Sequence, residues 1–324
     1  MSNNIFINTC IIGNNYAKNT LLPILKVNKK VKIIAVCKKK KDKCDLDYRI
    51  FHSWKKMIDC CKPDFAIVAV PPKIQSKVIK YLVLKKTSFF AQKPITYNYK
   101  DAEIIYNLIK KSKNIKTAID LNFLELDPII FLKKKIKKFL PKKNSFVEIK
   151  WLFKSNTHKK NHWKNRKSEG GAMYYNFGFH LFSIIINVFG DIKLVNAKRE
   201  KNFDLIELLT KKKVKIKIYF SNNYAKKNIF RIKYQSADSS VYELLNTSKD
   251  YHGNFKIYKN KKKIYNQLKT NKNINPRQLA SSFILNRLLN SIYYKKNKLN
   301  KNHTYLKISF KVHSIIKDIY KILK

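Results

Sequence analysis

A histidine and an asparagine four residues before it are the residues whose spacing most directly suggests chemistry. They lie in the stretch 169–190, where an apolar run follows a Gly-Gly pair and predicts a helix ending at Gly190. On a helix Asn176 and His180 share one face, and a buried polar pair needs partners. The pattern allows two interpretations: a core histidine held by a hydrogen bond, or a general acid or base. This stretch also holds four of the six glycines in the chain, Gly170, Gly171, Gly178 and Gly190.

A lysine directly after a buried strand is the second candidate. The apolar run 88–91 predicts a strand, and Gln92 and Lys93 come after it, followed by Pro94. In doubly wound sheets ligands bind at the carboxyl ends of the strands, where these two side chains would lie. Any one lysine is weak evidence in this chain, but a lysine between a buried strand and a proline is a stronger candidate.

The first strand, turn and helix resemble the start of a nucleotide-binding βαβ unit. A β-rich run at 5–12 leads into a polar turn and a helix through Leu25. The G-x-G-x-x-G fingerprint is absent, but asparagine tolerates positive φ and alanine is small, so the loop could still hold a pyrophosphate at the helix N-terminus. The cofactor-binding residues predicted here are Gly13, Asn14, Asn15, Tyr16 and Ala17.

The second strand, at 31–37, is followed by Lys38 and Lys39 rather than by the acid that commonly holds a ribose hydroxyl. Two cations there would suit the 2′-phosphate of NADP. The alternative is that residues 38–43 form a solvated basic loop.

The pattern of predicted secondary structure changes near residue 122. Strands and helices alternate before it, which predicts a doubly wound parallel sheet in a dinucleotide-binding Rossmann domain at 1–121. From Ser145 longer alternating strands predict an antiparallel meander, with 169–190 inserted as a helix and helices at 276–294 and 303–323. Residues 122–324 are therefore predicted to form an α+β domain with an open, mostly antiparallel sheet, and 260–274 an exposed loop.

The charge of this chain of 324 residues is extreme, with 71 basic and 20 acidic residues and a net charge of +51. Only 6 of the basic residues are arginines, whereas nucleic-acid readers rely on arginine, and the lysines are spread over the whole chain. Codon drift in an AT-biased genome therefore explains the charge better than a polyanion-binding role. The surface should in either case attract anionic ligands.

The cysteines and hydropathy predict a reduced, soluble, cytoplasmic protein. The cysteines are odd in number and lack C-x-x-C spacing, and the longest apolar run is interrupted by polar residues. His158 and His162 are four apart without a carboxylate nearby, which is weak evidence for a metal, and no metal site is predicted. The five cysteines are Cys10, Cys37, Cys44, Cys60 and Cys61.

Four marks in a fixed order resemble the Gfo/Idh/MocA family of NAD(P)-dependent oxidoreductases, which act mainly on sugars, cyclitols and their derivatives. The marks are the strand–turn–helix at 5–25, Val-Ala-Val-Pro-Pro at 68–72, Ala-Gln-Lys-Pro at 91–94, and Trp163 followed by Glu-Gly-Gly-Ala…Asn-Phe-Gly-Phe-His at 169–180. The segment 122–126 and the last predicted helix also resemble the corresponding segments in members of that family.

This resemblance implies a role for each matching residue. It implies that Lys93 lies by the nicotinamide and the substrate hydroxyl, that His180 is the general acid or base, and that Asn176 positions the substrate or His180. It adds Val70, Pro71, Pro72, Gln75 and Gln92 to the cofactor-binding residues, and Asn122, Trp163 and Asn176 as substrate-binding residues. Three residues depart from the family pattern: Gln92 replaces its usual acid, Asn176 its usual aspartate, and Gln75 its usual histidine.

The resulting prediction is an oxidoreductase that transfers hydride between NAD or NADP, with NADP favoured, and a hydroxyl or keto group of a sugar, nucleotide sugar or cyclitol. It requires Lys93 and His180 to converge beside the dinucleotide groove. The alternative is a catalytically silent sugar- or cofactor-binding protein on the same scaffold. Nucleic-acid binding through charge is a third hypothesis. The resemblance also implies a homodimer or homotetramer.

Overall fold

The computed structural model describes residues 6–39, 48–112, 114–138, 144–155, 162–224, 227–267, 275–294 and 300–323, with side chains in the last range from 305 onward. The chain divides into two compact units. The first comprises Met1–Leu121, Arg166–Gly171 and Gln278–Phe310, and the second comprises Asn122–Asn165, Ala172–Arg277 and Lys311–Lys324. The domain division proposed at residue 122 stays a prediction.

The first unit is built on a parallel sheet of six strands in the order β3-β2-β1-β4-β5-β6. All four residues of β4 and of β5 are buried, as expected for strands covered by helices on both faces. The chain order reverses between β1 and β4, so their carboxyl ends flank the crevice where such sheets bind ligands. The strands are β1 Ile7–Ile12, β2 Val31–Cys37, β3 Arg49–Phe51, β4 Phe65–Val68, β5 Ser88–Ala91 and β6 Thr117–Ile119.

Short polar side chains begin two of the helices between these strands. The Ser53 hydroxyl accepts a hydrogen bond from the backbone amide of Lys56 at 3.3 Å. The side-chain oxygen of Asn98 accepts one from the backbone amide of Asp101 at 2.8 Å. A π-helical turn at Ala17–Leu21 precedes the first α-helix. The helices are α1 Leu22–Lys26, α2 Trp54–Cys61, α3 Pro72–Leu84 and α4 Tyr99–Lys111.

The α3 helix begins within the proline pair at 71–72. It starts at Pro72, because proline has no amide hydrogen to leave unpaired in the first turn and its φ already suits a helix. Pro71 precedes it as the capping residue. The proline pair therefore stops the strand and starts the helix.

The second unit contains a sheet of eight strands in the order β14-β13-β12-β11-β7-β10-β9-β8. The expected meander is wrong at its centre, because β7 lies between β10 and β11 and pairs with β10 in parallel. The expected loop at 260–274 is also wrong in part, since β14 occupies 262–266. The strands are β7 Phe146–Leu152, β8 Ile192–Arg199, β9 Asp204–Thr210, β10 Lys215–Ser221, β11 Ile229–Gln235, β12 Val241–Asn246, β13 Lys256–Lys259 and β14 Lys262–Asn266.

The two faces of this sheet differ in chemistry because side chains alternate along each strand. One face buries large apolar side chains, with the Trp151 ring 5.8 Å from Phe220 and 5.0 Å from Phe230. On the other face Arg231 forms ion pairs with Glu148 and Glu243. The apolar face makes the core of the second unit.

Four further helices complete the chain: α5 Asp127–Lys138, α6 Phe179–Phe189, α7 Pro276–Tyr293 and α8 Asn300–Ile322. The α6 helix ends as its sequence predicted, with Gly190 at a φ of 88° after its last residue. Within the described residues, no helix combines the length and hydropathy needed to cross a membrane.

The predicted fold class is confirmed: a Rossmann-type parallel sheet and an α+β unit with a mostly antiparallel sheet. Cys10 and Cys37 are buried at β1 and β2, and burial raises their thiol pKa values to about 12 and about 11. Cys44, His158 and residues 40–43 (Lys-Lys-Asp-Lys) lie outside the described residues.

Candidate active site

The turn after β1 requires glycine at its first position. Gly13 has a φ of 127°, and a Cβ there would lie 2.3 Å from the carbonyl oxygen of Ala69, just beyond β4. Its amide donates to the Cys37 carbonyl at 3.1 Å, at the end of β2. Helical structure begins by Asn15, so the amides of this first turn are oriented as in the anion sites at helix N-termini.

Other predicted cofactor-binding residues follow the carboxyl ends of neighbouring strands in the same unit. Lys38 comes directly after β2, is half-buried, and donates its amide to the Phe51 carbonyl at 3.0 Å. Val70 and Pro71 are half-buried after β4, whereas Pro72 is buried as the first residue of α3. The fold thus brings these residues to one edge, which we call the dinucleotide edge: Gly13–Ala17, Lys38, Val70–Pro72 and Gln92–Lys93.

The Gly-Gly pair at 170–171 belongs to this first unit. Gly170 has a φ of 78°, and a Cβ there would lie 2.8 Å from the Pro72 Cβ and 2.9 Å from the Tyr97 Cα. Only glycine allows the segment 166–171 to approach the start of α3 so closely. Two separate sequence marks, the proline pair and the glycine pair, are therefore in contact.

Gln75 holds the loop that carries Lys93. Its buried side-chain amide donates to the carbonyls of Gln92 at 2.6 Å, Pro94 at 2.8 Å and Ile95 at 3.4 Å. The Lys93–Pro94 peptide bond is cis, and Lys93 itself is half-buried. Gln75 was predicted to bind the cofactor, and its contacts show that it orders the neighbouring backbone.

A buried carboxylate that the sequence analysis did not select lies at the same edge. Asp120 follows β6 and is 0% exposed. It accepts hydrogen bonds from the Tyr16 hydroxyl at 2.5 Å, from the Ser281 hydroxyl at 3.0 Å, and from the Gln92 side-chain amide. Its position gave a usable signal, because an acid directly after a buried parallel strand lies where ligands bind.

In the second unit, Asn176 and His180 are separated by a change of helix type. Asn176 belongs to a π-helical turn at Tyr174–Gly178, and His180 to the first turn of α6. The predicted helix is therefore present but contains a π-helical turn; such turns inside helices are frequent at functional sites. The Asn176 side-chain amide donates to the Lys164 carbonyl at 2.6 Å.

His180 is nearly buried, at 9% exposure. Its ring lies 4.5 Å from the ring of Phe123, which also lies 4.6 Å from the ring of His252. The imidazole of His180 is therefore packed against an aromatic ring. We call Phe123, Lys164, Asn176 and His180 the α6 cluster.

Lys164 adds positive charge beside Asn176. Burial lowers the pKa of its ammonium, and the guanidinium of Arg277 lowers it further. Lys164 lies in the short 3₁₀ turn Trp163–Asn165 and is half-buried. The other predicted substrate-binding residues of this unit are Asn122, which is buried, and Trp163, which is half-buried in a short 3₁₀ turn.

The first unit defines a class of protein: a Rossmann fold with a ligand edge suited to a dinucleotide. Residues 7–119 match the sequence model of the oxidoreductase family with an NAD-binding Rossmann fold, Gfo/Idh/MocA. The first unit thus carries a domain similar to the NAD-binding Rossmann domain of that family, and the match lies within this unit.

The other comparisons agree with this assignment. An uncharacterized oxidoreductase of Schizosaccharomyces pombe is 27% identical over 139 residues, 42% of this chain. The match spans only 37% of the length of that curated relative.

Two solved structures show the fold over nearly the full length. KijD10, a 3-ketoreductase from Actinomadura kijaniata in complex with NADP and TDP-benzene, superposes with a TM-score of 0.77 at 12% identity, covering 98% of each chain. D-galactose-1-dehydrogenase from Rhizobium etli superposes with a TM-score of 0.76 at 13% identity, covering 99% of this chain and 96% of that one.

Proposed function

We propose that this protein is an NADP-dependent oxidoreductase that interconverts a hydroxyl and a keto group on a sugar, nucleotide sugar or cyclitol. The observation that carries the proposal is the dinucleotide edge, where the Gly13 turn, Lys38, the proline pair and Lys93 occur in one Rossmann unit of the matched family. The proposed sugar specificity is supported by the name of the D-galactose-1-dehydrogenase, and the proposed reaction at a keto group by that of the 3-ketoreductase KijD10. Both share only the fold with this chain.

The residues of the dinucleotide edge fit the proposed cofactor. The absence of a Cβ at Gly13 lets the turn pack against the Ala69 carbonyl, and the helix amides that follow can receive the pyrophosphate. Lys38 would hold the 2′-phosphate of NADP by charge, because it stands where NAD enzymes commonly place an acid. When bound, the nicotinamide supplies or accepts the hydride.

The remaining chemistry is assigned to this chain's own side chains. Hydride transfer from an alcohol carbon requires the hydroxyl proton to leave, and return of hydride to a ketone requires a proton to arrive at the oxygen. We assign that proton transfer to the His180 imidazole, and we assign to the Lys93 ammonium the stabilisation of negative charge developing on the same oxygen. Asn176 cannot titrate, so its assigned role is to position the substrate or His180.

The positive charge in the second unit supports an anionic substrate. Lys164 and Arg277 interact electrostatically beside the α6 cluster, where a phosphate or carboxylate on the sugar would relieve their repulsion. A nucleotide sugar or a sugar acid is therefore a better proposed substrate than a neutral sugar. The oligomeric state stays a prediction from the resemblance.

The second candidate, a silent binding protein, is motivated by the single remaining glycine of the turn and by Asn176. One experiment distinguishes the oxidoreductase from the silent binding protein. Purified protein is titrated with NADPH and NADH by fluorescence, then assayed with a panel of nucleotide sugars, sugar acids and neutral sugars. NADPH binding with turnover supports the oxidoreductase; NADPH binding without turnover on any substrate supports the silent protein.

Two variants test the assigned roles. Lys93→Ala and His180→Ala should each lower kcat by about a hundredfold or more while leaving the fold intact, because each removes a group that acts in the transition state. Lys100→Ala is a matched control at an exposed position and should turn over normally. Wild-type activity in both test variants would remove Lys93 and His180 from the mechanism.

A further inference from the structure

Asp120 is a buried carboxylate that the proposed mechanism does not use. It lies at the carboxyl end of β6 with no exposed surface, and three side chains of the same unit donate to it. An ionised carboxylate is costly to bury unless several donors satisfy its oxygens. The donors are the Tyr16 hydroxyl, the Gln92 amide and the Ser281 hydroxyl.

These donors come from three separate segments of the first unit. Tyr16 belongs to the turn after β1, Gln92 directly precedes Lys93, and Ser281 lies on α7. The Tyr16 and Ser281 oxygens are also 3.0 Å apart, so the three groups form one network around the carboxylate. Two parts of the dinucleotide edge are consequently tied to one buried charge.

The hydrogen bond between Gln92 and Asp120 has one fixed donor and one fixed acceptor. The amide of Gln92 is a donor and the carboxylate of Asp120 is an acceptor, so the contact is favourable without a shared proton. A carboxylate at both positions would make two anions meet and would force them to hold one proton between them. An amide at both positions would weaken the network, because the neutral acceptor at 120 attracts three donors less strongly.

We propose that Asp120 is a positioning residue for cofactor binding: its carboxylate holds the Tyr16 turn and the Gln92–Lys93 segment in the geometry that receives the dinucleotide. The inference rests on the proposed function, since it assigns the edge to a dinucleotide. It adds a residue that touches neither cofactor nor substrate and acts through its hydrogen bonds.

An exchange of the two side chains tests the proposal. The variants Asp120→Asn, Gln92→Glu and the double variant Gln92→Glu/Asp120→Asn are titrated with NADPH by fluorescence. Asp120→Asn should raise the Kd for NADPH by roughly tenfold, because the three donors then face a neutral acceptor instead of a charged one. The double variant again pairs one donor with one carboxylate at positions 92 and 120, but it leaves Tyr16 and Ser281 facing a neutral acceptor. It should therefore recover only part of the loss and bind NADPH more tightly than the two single effects predict together.

The pH dependence of Gln92→Glu gives a readout that a merely structural role would not move. Between about pH 9 and about pH 5.5 its NADPH affinity should improve as the pH falls, because the two carboxylates then share a proton. The double variant should show no such pH dependence beyond that of wild type. This measurement keeps Asp120 in place, so it stands even if Asp120→Asn does not fold.

Asp101→Asn is the matched control, because Asp101 is a partly buried carboxylate of the same unit that joins α3 and α4 through Ser76 and Lys80. It should lower thermal stability without changing the Kd for NADPH. Two outcomes would overturn this inference while leaving the proposed function intact. One is an unchanged Kd in Asp120→Asn, and the other is a double variant whose effect is the sum of the two single effects. Failure of the wild type to bind either dinucleotide would overturn the proposed function and this inference together.

Discussion

At the residue scale, the chain keeps glycine where the backbone geometry of the dinucleotide edge requires it. Gly13 and Gly170 combine positive φ with a close approach to backbone or proline atoms, so a side chain there meets both strain and overlap. Gly190 has a positive φ of 88° but nothing within 4 Å of an added Cβ. These glycines differ in function although each has a backbone that disfavours other residues.

This difference predicts unequal effects of the same substitution. Gly13→Ala should destabilise the first unit by about 2–4 kcal/mol, since strain adds to overlap with the Ala69 carbonyl. Gly190→Ala should cost about 1 kcal/mol, from strain alone. Urea unfolding measures both, and hydrogen exchange of β1 and β4 should rise only for Gly13→Ala. Equal costs for the two variants would contradict the argument.

At the element scale, α8 places an ionisable group in the core of the second unit. His313 is fully buried, its ring lies 5.6 Å from Tyr175 and 5.1 Å from Phe179, and burial lowers its pKa from 6.5 to about 3. Its two ring nitrogens have no hydrogen-bond partner among the described residues. The packing of this helix therefore favours the neutral form of the imidazole.

Stability should fall as the pH is lowered through the window between 6.5 and about 3. The unfolded chain binds a proton there and the folded chain does not, so the free energy of unfolding drops by up to about 1.4 kcal/mol per pH unit from this group. The lowered pKa of Asp191, caused by Lys311, adds a loss only below its ordinary value of 3.8.

His313→Leu tests this assignment by urea unfolding at several pH values between about 7 and about 4. The variant should lose less stability than wild type as the pH falls. Val312→Ala, a buried position on the same helix without a titratable group, should be less stable but keep the wild-type slope. Parallel curves for wild type and His313→Leu would rule out His313 as the source.

At the scale of the whole molecule, the net charge of +51 dominates long-range interactions. The field of so many lysines should speed the association of any anion, and salt should screen it. Between about 20 mM and about 500 mM salt, the association rate of NADPH should fall roughly tenfold or more, while that of a neutral sugar should not change.

The same measurement addresses nucleic-acid binding. Duplex DNA should bind weakly, without sequence preference and with a steep salt dependence, because phosphate contacts alone would supply the affinity. Tight, sequence-dependent binding that persists at high salt would instead support a reader function. Stopped-flow fluorescence for NADPH and titrations of two unrelated duplexes provide both comparisons.

The sequence alone determined the alternation of strands and helices, the Rossmann unit and most element positions. These follow from local signals: buried apolar runs, capping side chains and the glycine stop after α6. It also selected Gly13, Lys38, the proline pair and Lys93, because the carboxyl ends of parallel strands meet at one edge whatever their side chains.

Only the tertiary structure decided the parallel pairing of β7 with β10, the π-helical turn at Asn176, and the network around Asp120. Strand order depends on which distant segments meet, and a helix type depends on packing more than on local propensity. The Asp120 network joins residues more than 100 positions apart, Tyr16 to Asp120 and Asp120 to Ser281. No local pattern records such contacts, because the donors that make a buried charge tolerable come from segments that only the fold brings together.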